Sequence, residues 1–254
     1  MLLKGKKGII VGVANKRSIA WGIAQSLHRE GAQLAFTCQI QKLLDKVKVL
    51  TDKDMSNSEH YVCDATNEEQ VKDIFKQIGE SFGQIDFLIH SIAFANKADL
   101  EGAFVDTSLE GFNLALDVSA YTLKSLTQAA LPYMTHGGSV VAMTYLGAER
   151  VIPGYNVMGV AKAALECSVR YLANDLGSNN VRVNAISAGP VNTLAARGIA
   201  HFTDMLKLAA ERAPLRRNTT LDEIGDTGLY LVSDLSRGVT GEVIHVDNGL
   251  HLLA

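Results

Sequence analysis

The 254-residue sequence predicts an α/β fold, a doubly wound, Rossmann-type parallel sheet of about seven strands with helices on both faces, in a single domain. Three observations predict it. Short apolar runs, typical of parallel strands buried on both faces, alternate with helix-periodic segments along the chain. No linker, low-complexity tract or internal repeat divides the sequence. Apolar residues make up 47% of it, which is enough for a large core.

Each element is predicted from its local pattern. A continuous apolar run indicates the first strand at 6–13, and the helix at 18–30 ends at Gly31. Strands at 33–37, 59–64 and 86–90 alternate with helices at 41–50 and 67–82, the latter opened by a Thr66-Asn67 cap. A loop at 91–106 is followed by a long helical segment at 108–134, a strand at 139–144, a helix at 156–176 and a strand at 181–187. One or two short amphipathic helices reach about residue 213, and a helix at 221–233 precedes the last strand at 243–246.

Composition argues against several classes of function. The net charge is −3 and the basic residues are dispersed, so we expect no nucleic-acid or anionic-membrane surface. The N-terminus leads directly into a strand and no apolar run could span a bilayer, so we expect a cytoplasmic protein without a signal peptide. Seven scattered histidines lack metal-ligand spacing, and no metal is expected. Cys38, Cys63 and Cys167 are expected to be buried thiols in a reducing compartment.

In sheets of this kind the ligand lies beyond the carboxyl ends of the strands, here the loops at 12–18, 38–41, 64–66, 91–96, 144–155 and 188–196. The first loop joins a strand to a helix through Gly12, with Ser18 at the predicted N-cap and Ile19 after it. A helix start of this kind can bind a phosphate group. The loop does not match GxGxxG, however, and a tight turn needs glycine whatever its function.

The loop after the second strand selects the nucleotide. Neither an acid nor a cation directly follows that strand, and the Gln39 amide can donate a hydrogen bond to a ribose hydroxyl or to the adenine ring. This favours NADH, while Lys42 keeps NADPH as the less favoured choice. Asp64 could accept a hydrogen bond from the adenine amino group, or could cap the next helix.

Three further loops complete the predicted cofactor site. Ala65, Ser91 and Ile92 lie where adenine and ribose would sit. After the sixth strand, the turn at Val191 can meet a carboxamide, and the Thr193 hydroxyl can meet a phosphate. The stretch that follows has an apolar stripe, either ordinary core or a lid at about 192–212 over an apolar substrate, formed by Ile199, Phe202, Met205, Leu206 and Leu208.

Tyr155 and Lys162 are the predicted chemical centre. Pro153 and Gly154 break the chain just before Tyr155, so this residue falls at the first turn of the next helix or just before it. Seven residues bring Lys162 back to nearly the same helix face. A phenol can donate a hydrogen bond to an oxygen that gains negative charge, and a nearby ammonium would make it a better acid. Alone, the pair is more often a packing tyrosine and a solvated lysine.

Several stretches together resemble the enoyl-acyl-carrier-protein reductases of bacterial fatty-acid synthesis, a divergent branch of the short-chain dehydrogenase/reductase family. The resemblance covers essentially the whole chain. It rests on residues 12–24 (GVANKRSIAWGIA), 90–95 (HSIAFA), 145–150 (YLGAER), 153–162 (PGYNVMGVAK), 182–190 (RVNAISAGP) and 193–195 (TLA).

The resemblance implies hydride transfer from NADH to the β-carbon of a trans-2-enoyl thioester on acyl-carrier protein, the last step of the elongation cycle. It implies that Tyr155 donates a hydrogen bond to the thioester oxygen, that Lys162 holds the nicotinamide ribose, and that Tyr145 lines the acyl pocket as a third catalytic residue. It also implies a homotetramer. The substrate-binding residues implied are Ala93, Phe94, Ala95, Tyr145, Tyr155, Met158, Ala195, Ile199 and Phe202.

Spacing separates the chain from ordinary short-chain dehydrogenases. Met158, not a tyrosine, lies four residues before Lys162, and Ser119 stands where those enzymes have a relay asparagine. This argues against the usual ketone or alcohol chemistry. A 3-oxoacyl or other carbonyl reductase remains an alternative, as does a non-catalytic dinucleotide sensor, because fold alone does not fix chemistry.

Overall fold

The computed structural model describes residues 1–193 and 202–253, apart from the side chains of Phe202 and Met205. Seven strands within this part of the chain form one sheet in the order β3-β2-β1-β4-β5-β6-β7, and every neighbouring pair is parallel. The strands are β1 Lys7–Val11, β2 Gln33–Cys38, β3 Glu59–Val62, β4 Phe87–His90, β5 Gly138–Thr144, β6 Val181–Ala188 and β7 Val243–Val246. The predicted fold class is confirmed.

Helices cover both faces of this sheet. They are α1 Ile19–Arg29, α2 Gln41–Asp54, α3 Glu68–Phe82, α4 Lys97–Leu100, α5 Leu109–Leu116, α6 Thr122–Ala130, α7 Val157–Leu176, α8 Phe202–Arg212 and α9 Leu221–Val232. Buried residues of α1, α2 and α9 form one apolar cluster, and those of α3, α6 and α7 form another. Successive residues of β1 point to opposite faces of the sheet: Ile9 packs in the second cluster and Ile10 in the first. This explains why β1 is apolar without interruption.

Helix capping fixes several boundaries. The Asn67 side chain accepts a hydrogen bond from Gln70 N at the start of α3, as the sequence predicts. Helix α9 begins with a reciprocal capping box, in which the Thr220 hydroxyl accepts from Glu223 N and the Glu223 carboxylate accepts from Thr220 N.

The predicted helical segment at 108–134 is interrupted. Helix α5 ends at Leu116, a π-helical turn spans Asp117–Tyr121, and α6 follows. Within the wide turn, the buried Ser119 hydroxyl accepts a hydrogen bond from Phe94 N. This bond ties the turn to the loop after β4, a long-range contact that helix periodicity cannot reveal.

The structure also differs from the sequence-based prediction in three smaller respects. Helix α2 runs to Asp54, beyond the predicted end at residue 50. The loop predicted at 91–106 contains the short helix α4. Cys38 and Cys63 are buried, and burial raises the pKa of these thiols to about 11 and about 12 respectively. Cys167 is exposed on α7, so the expectation of three buried thiols is wrong for that residue. It lies on the outward side of the helix, where an apolar thiol is not needed for packing.

Two properties of the described residues bear on function. Across the described helices, none is long and apolar enough to cross a membrane. In the same part of the chain, the His, Cys, Asp and Glu side chains form no group of three or more that could hold a metal ion.

Candidate active site

The parallel sheet brings the predicted site residues to one edge. The residues from Gly12 to Thr193 that the sequence singles out follow β1 to β6, and the carboxyl ends of these strands lie on the same side. Neighbouring loops also contact each other. Ser91 N donates to Val11 O at 3.0 Å, and Cys63 N donates to Cys38 O at 2.8 Å.

The loop after β1 is tightly closed around Gly12. Its φ is +112°, and a β-carbon there would lie 2.0 Å from Ser91 O, so the position admits only glycine. Ser18 is the N-cap of α1, as predicted, but its hydroxyl accepts from Ala14 N and Asn15 N at 3.0 and 3.1 Å rather than capping the helix. The hydroxyl therefore fixes the loop, and the positive end of α1 is available for an anion such as a pyrophosphate. Ile19 packs partly buried against the core.

Gln39 and Asp64, predicted separately, contact each other. The exposed Gln39 amide donates to Asp64 Oδ2 at 3.1 Å. Asp64 Oδ1 accepts from both the backbone and the hydroxyl of Thr66. Burial alone would raise the pKa of Asp64, but these hydrogen bonds from Thr66 and Gln39 lower it. The capping alternative for Asp64 is wrong, because Asn67 caps α3 and Asp64 instead closes the turn before it.

The loop after β4 divides into buried and exposed parts. Ile92 packs against the core, as does Ala65 of the neighbouring loop. Ala93 is exposed, and so is Phe94, with 51% of its surface accessible. An exposed phenylalanine beside a ligand edge is available for an apolar ligand.

Predicted substrate residues from three segments meet in a small apolar cluster. Met158 belongs to this cluster, and Ala95 and Tyr155 pack against it. Ser119 joins them, because its hydroxyl lies 3.1 Å from Phe94 N and 3.7 Å from Met158 Sδ. A serine at this position therefore holds the loop after β4 against α7.

Tyr145 and Tyr155 form an edge-to-face pair. Their ring centroids are 5.0 Å apart and the planes meet at 71°. A β-carbon at Gly147 would lie 2.4 Å from Tyr155 Cδ1, so the loop after β5 must carry glycine where this ring packs. Tyr155 lies two residues before the start of α7.

The pKa of Tyr155 differs from the expectation. Burial first, then the neighbouring Tyr145 and the charge of Glu166, raise it well above its usual range. Burial also raises the pKa of Tyr145. The predicted acidification of Tyr155 by Lys162 is therefore wrong, because the pKa of this phenol is raised rather than lowered. Both residues remain protonated phenols at neutral pH, the form that donates a hydrogen bond.

Lys162 is directed inward from α7. Its side chain is 5% exposed, and its ammonium donates to Met143 O, near the end of β5, at 2.7 Å. Burial lowers the pKa of Lys162 to about 8, and the carboxylate of Glu166 opposes this shift. The lysine is thus a buried cation beside the carboxyl edge of the sheet.

Asn156 holds the backbone that links Tyr155 to α7. Its φ of 38° lies in the left-handed region, which costs a residue other than glycine roughly 1–3 kcal/mol. Its side-chain amide donates to Leu100 O and Gly102 O, each at 3.2 Å. These bonds hold the strained conformation and fix the direction in which Tyr155 leaves the loop.

The site beyond β6 is only partly described. Val191 packs against the core, and Thr193 N donates to Val191 O at 2.7 Å in a tight turn. Ala195 and Ile199 lie outside the described residues, and Phe202 opens α8 without a described side chain. The predicted lid residues Leu206 and Leu208 are half-buried and exposed, respectively.

Two functional candidates escape reasoning from the sequence. Glu166 is buried one helical turn after Lys162 and accepts a hydrogen bond from the Thr144 hydroxyl at 2.6 Å. His90, at the end of β4, is fully buried. The signal that could have indicated Glu166 is a second charged residue, one turn after Lys162, on a helix face whose other buried residues are apolar.

Comparison with known proteins identifies the family. Residues 12–251 match the family model described as Enoyl-(Acyl carrier protein) reductase. The enoyl-(acyl-carrier-protein) reductase (NADH) FabI of Bacillus cereus is 54% identical over 254 residues, which cover 99% of each chain. The crystal structure of the Bacillus cereus reductase with NADP+ and indole naphthyridinone has a TM-score of 0.98, at 54% identity, and the match covers 100% of this chain and 99% of that one. The reductase of Anaplasma phagocytophilum in complex with NAD has a TM-score of 0.95, at 46% identity, and the match covers 100% and 95%.

Proposed function

The chain belongs to the enoyl-(acyl carrier protein) reductase family, and we propose that it reduces the double bond of a trans-2-enoyl thioester attached to acyl-carrier protein. It is an NADH-dependent oxidoreductase of fatty-acid biosynthesis. Two observations support this most directly: Tyr155 packs edge-to-face against Tyr145, which follows β5, and the buried Lys162 ammonium donates to Met143 O near the carboxyl end of the same strand.

Each member of this group has a separate role. Tyr155, kept as a phenol by burial, donates a hydrogen bond to the thioester oxygen as that oxygen becomes an enolate. Lys162 holds a ribose hydroxyl and adds positive potential. Tyr145 lines the acyl pocket with Ala93, Phe94, Ala95 and Met158. NADH, when bound, supplies the hydride that the β-carbon receives. The α-carbon takes its proton from solvent.

The residues at the carboxyl edge fit a dinucleotide. The cradle at Gly12, which a β-carbon would fill, leaves the start of α1 for the pyrophosphate, with Ser18 and Ile19 around it. The Gln39–Asp64 pair, with Ala65, Ser91 and Ile92, suits the adenosine half, and Val191 and Thr193 suit the nicotinamide half. The absence of a cation directly after β2 favours NADH over NADPH.

Three broader features belong to the same proposal. The chain forms one domain, with a lid at about 192–212 over the acyl group, which the apolar stripe in this part of the sequence supports. The protein acts as a homotetramer, as its family resemblance implies. It works in the cytoplasm, where acyl-carrier protein is its partner, and the exposed Cys167 thiol fits a reducing compartment.

Substitution of Tyr155 by Phe tests the chemical role. We expect turnover of crotonyl thioester, followed by NADH absorbance, to fall about 100-fold, because one well-aimed donor to an oxyanion contributes on the order of 3 kcal/mol. NADH affinity should stay within about twofold, whereas Lys162→Ala should weaken both affinity and turnover. Tyr171→Phe removes the same hydroxyl from an exposed position on α7 and is the matched control.

Assays with other substrates separate the alternatives. Unchanged turnover in Tyr155→Phe would contradict the assigned role. Reduction of a β-ketoacyl thioester without reduction of an enoyl thioester would identify a carbonyl reductase instead. NADH binding without turnover of any acyl thioester would indicate a dinucleotide sensor. Parallel assays with NADH and NADPH decide the cofactor preference.

A further inference from the structure

Two consecutive residues at the end of β5 are held by two inward side chains of α7. The Lys162 ammonium donates to Met143 O at 2.7 Å, and the Thr144 hydroxyl donates to Glu166 Oε1 at 2.6 Å. Thr144 and Lys162 are each 5% exposed, and Glu166 is 7% exposed. Both bonds are therefore shielded from water, where hydrogen bonds to charged groups are stronger than at the surface.

The two bonds run in opposite directions and fix the strand relative to the helix. Lys162 and Glu166 are four residues apart, so they lie one turn apart on the same face of α7. One donates to the strand and the other accepts from it. Tyr145 follows Thr144 directly, and Tyr155 lies just before α7. The pair of bonds thus sets the position of one phenol relative to the other.

The charge of the Glu166 carboxylate opposes the lowering of the Lys162 pKa by burial. Three charged groups act on Glu166: Arg170 one turn further along α7, Glu149 in the loop after β5, and His245 on β7. Glu149 and His245 contact each other at 3.0 Å nearer the surface. Burial raises the pKa of Glu166, and Glu149 adds to this, whereas Thr144, Arg170 and His245 lower it.

We propose that Glu166 is a positioning residue of the active site, whose buried carboxylate is the counter-charge of Lys162 on the same face of α7 and, through Thr144, fixes the end of β5 that carries Tyr145. The kinetic part of this proposal rests on the proposed enoyl reduction. Its electrostatic part concerns the lysine alone. Without the carboxylate, burial acts on Lys162 unopposed, so the lysine would lose its proton at a lower pH.

Kinetics across pH 6–10 test the proposal. Glu166→Gln keeps an acceptor for the Thr144 hydroxyl but removes the charge. In this variant we expect the alkaline limb of the kcat/KM profile to shift to lower pH by on the order of one pH unit. Thr144→Val should leave this limb in place, lower kcat and raise KM for the thioester, and Thr144→Ser should restore both values. Asp175→Asn removes one negative charge at the exposed end of the same helix and should match the wild type.

A direct titration separates this proposal from the proposed function. Competitive acetylation of the cofactor-free protein with acetic anhydride, read by mass spectrometry at Lys162, gives the pH at which the amine loses its proton, and Lys162→Arg identifies the signal. Glu166→Gln should move that pH down even if the wild type reduces no enoyl thioester. A wild type without turnover would overturn the proposed function alone.

A clear result would also overturn the Glu166 proposal. If the titration and the alkaline limb of Glu166→Gln coincide with those of the wild type, and only thermal stability falls, Glu166 has a merely structural role. Glu166→Met, which is uncharged and of similar length, replaces the Gln variant if the latter does not fold. The same shift is expected for it.

Discussion

Lys162 is a cation held almost entirely out of water, with the carbonyl of Met143 as its hydrogen-bond acceptor. Such a position costs free energy, because burial disfavours the charged form. In the folded state its pKa is lowered to about 8, below the ordinary value of 10.5. The unfolded chain therefore binds this proton more readily between those two values. The cost is absent above pH 10.5, grows as pH falls, and is complete below pH 8.

Replacement of Lys162 by Met should consequently raise the free energy of unfolding. At pH 7 we expect a gain on the order of 1–3 kcal/mol in the cofactor-free protein, together with the loss of turnover, since stability and function often conflict at active sites. Chemical denaturation of both proteins at pH 7 and pH 10 measures it. The gain in the free energy of unfolding should be smaller at pH 10. If Lys162→Met is less stable than the wild type at pH 7, burial of the charged lysine does not cost the free energy assigned to it.

At the residue scale, local spacing predicts where a side chain enters an element. The seven-residue step from Tyr155 to Lys162 places the lysine on the inward face of α7, where its ammonium reaches the end of β5, while the catalytic roles of the two residues stay a prediction. The sequence does not reveal that Asn156 adopts a left-handed conformation between them, or that Gln39 pairs with Asp64. Both features depend on contacts between loops that are distant in the chain, and a local pattern carries no information on such contacts.

At the scale of elements, the strands and most helices are predicted because burial imposes a clear period on them. The predicted bounds of β7 are correct, and those of β1 are two residues too long at its end and one at its start. The break between α5 and α6 is the main failure. There the sequence remains helix-periodic, while the bond between Ser119 and Phe94 favours the wide turn Asp117–Tyr121.

Helix α9 offers a test of capping. Thr220→Ala removes the hydroxyl that accepts from Glu223 N at 3.3 Å, and we expect a loss of about 1 kcal/mol in the free energy of unfolding, or roughly 2–4 °C in Tm. Thr220→Ser keeps the hydroxyl and should behave as the wild type. Thermal denaturation of the wild type and the two variants measures the difference in Tm. An unchanged Tm in Thr220→Ala would mean that the cap contributes nothing here.

At the scale of the whole molecule, His90 links stability to pH. It is fully buried at the end of β4, and its Nε2 lies 2.8 Å from Thr122 Oγ1, whose proton is donated to Val118 O. Nε2 therefore donates, and Nδ1 has no hydrogen-bond partner among the described residues. Burial first, and the charge of Lys162 second, lower the pKa of His90 to about 3.

The sign of the pH effect follows from this shift. Because the folded-state pKa lies below the ordinary 6.5, the unfolded chain takes up the proton first as pH falls. Stability associated with His90 is complete above pH 6.5 and is lost progressively towards pH 3, by up to about 5 kcal/mol. Denaturation of the wild type and His90→Gln from pH 7 to pH 4 measures it. The wild type should lose more stability than the variant, and parallel curves would exclude this role.

The sheet order places the first strand of the chain inside the sheet, with β2 on one side and β4 on the other. During synthesis, the loop of Gly12 and its contact at Ser91 can thus form while Lys162 has yet to be translated. At ribosomal speeds of about 5–20 residues per second, the roughly 150 residues between Gly12 and Lys162 take on the order of 8–30 s. We infer that the nascent chain can bind a nucleotide at the Gly12 loop before Lys162, which its reduction chemistry needs, has been synthesised.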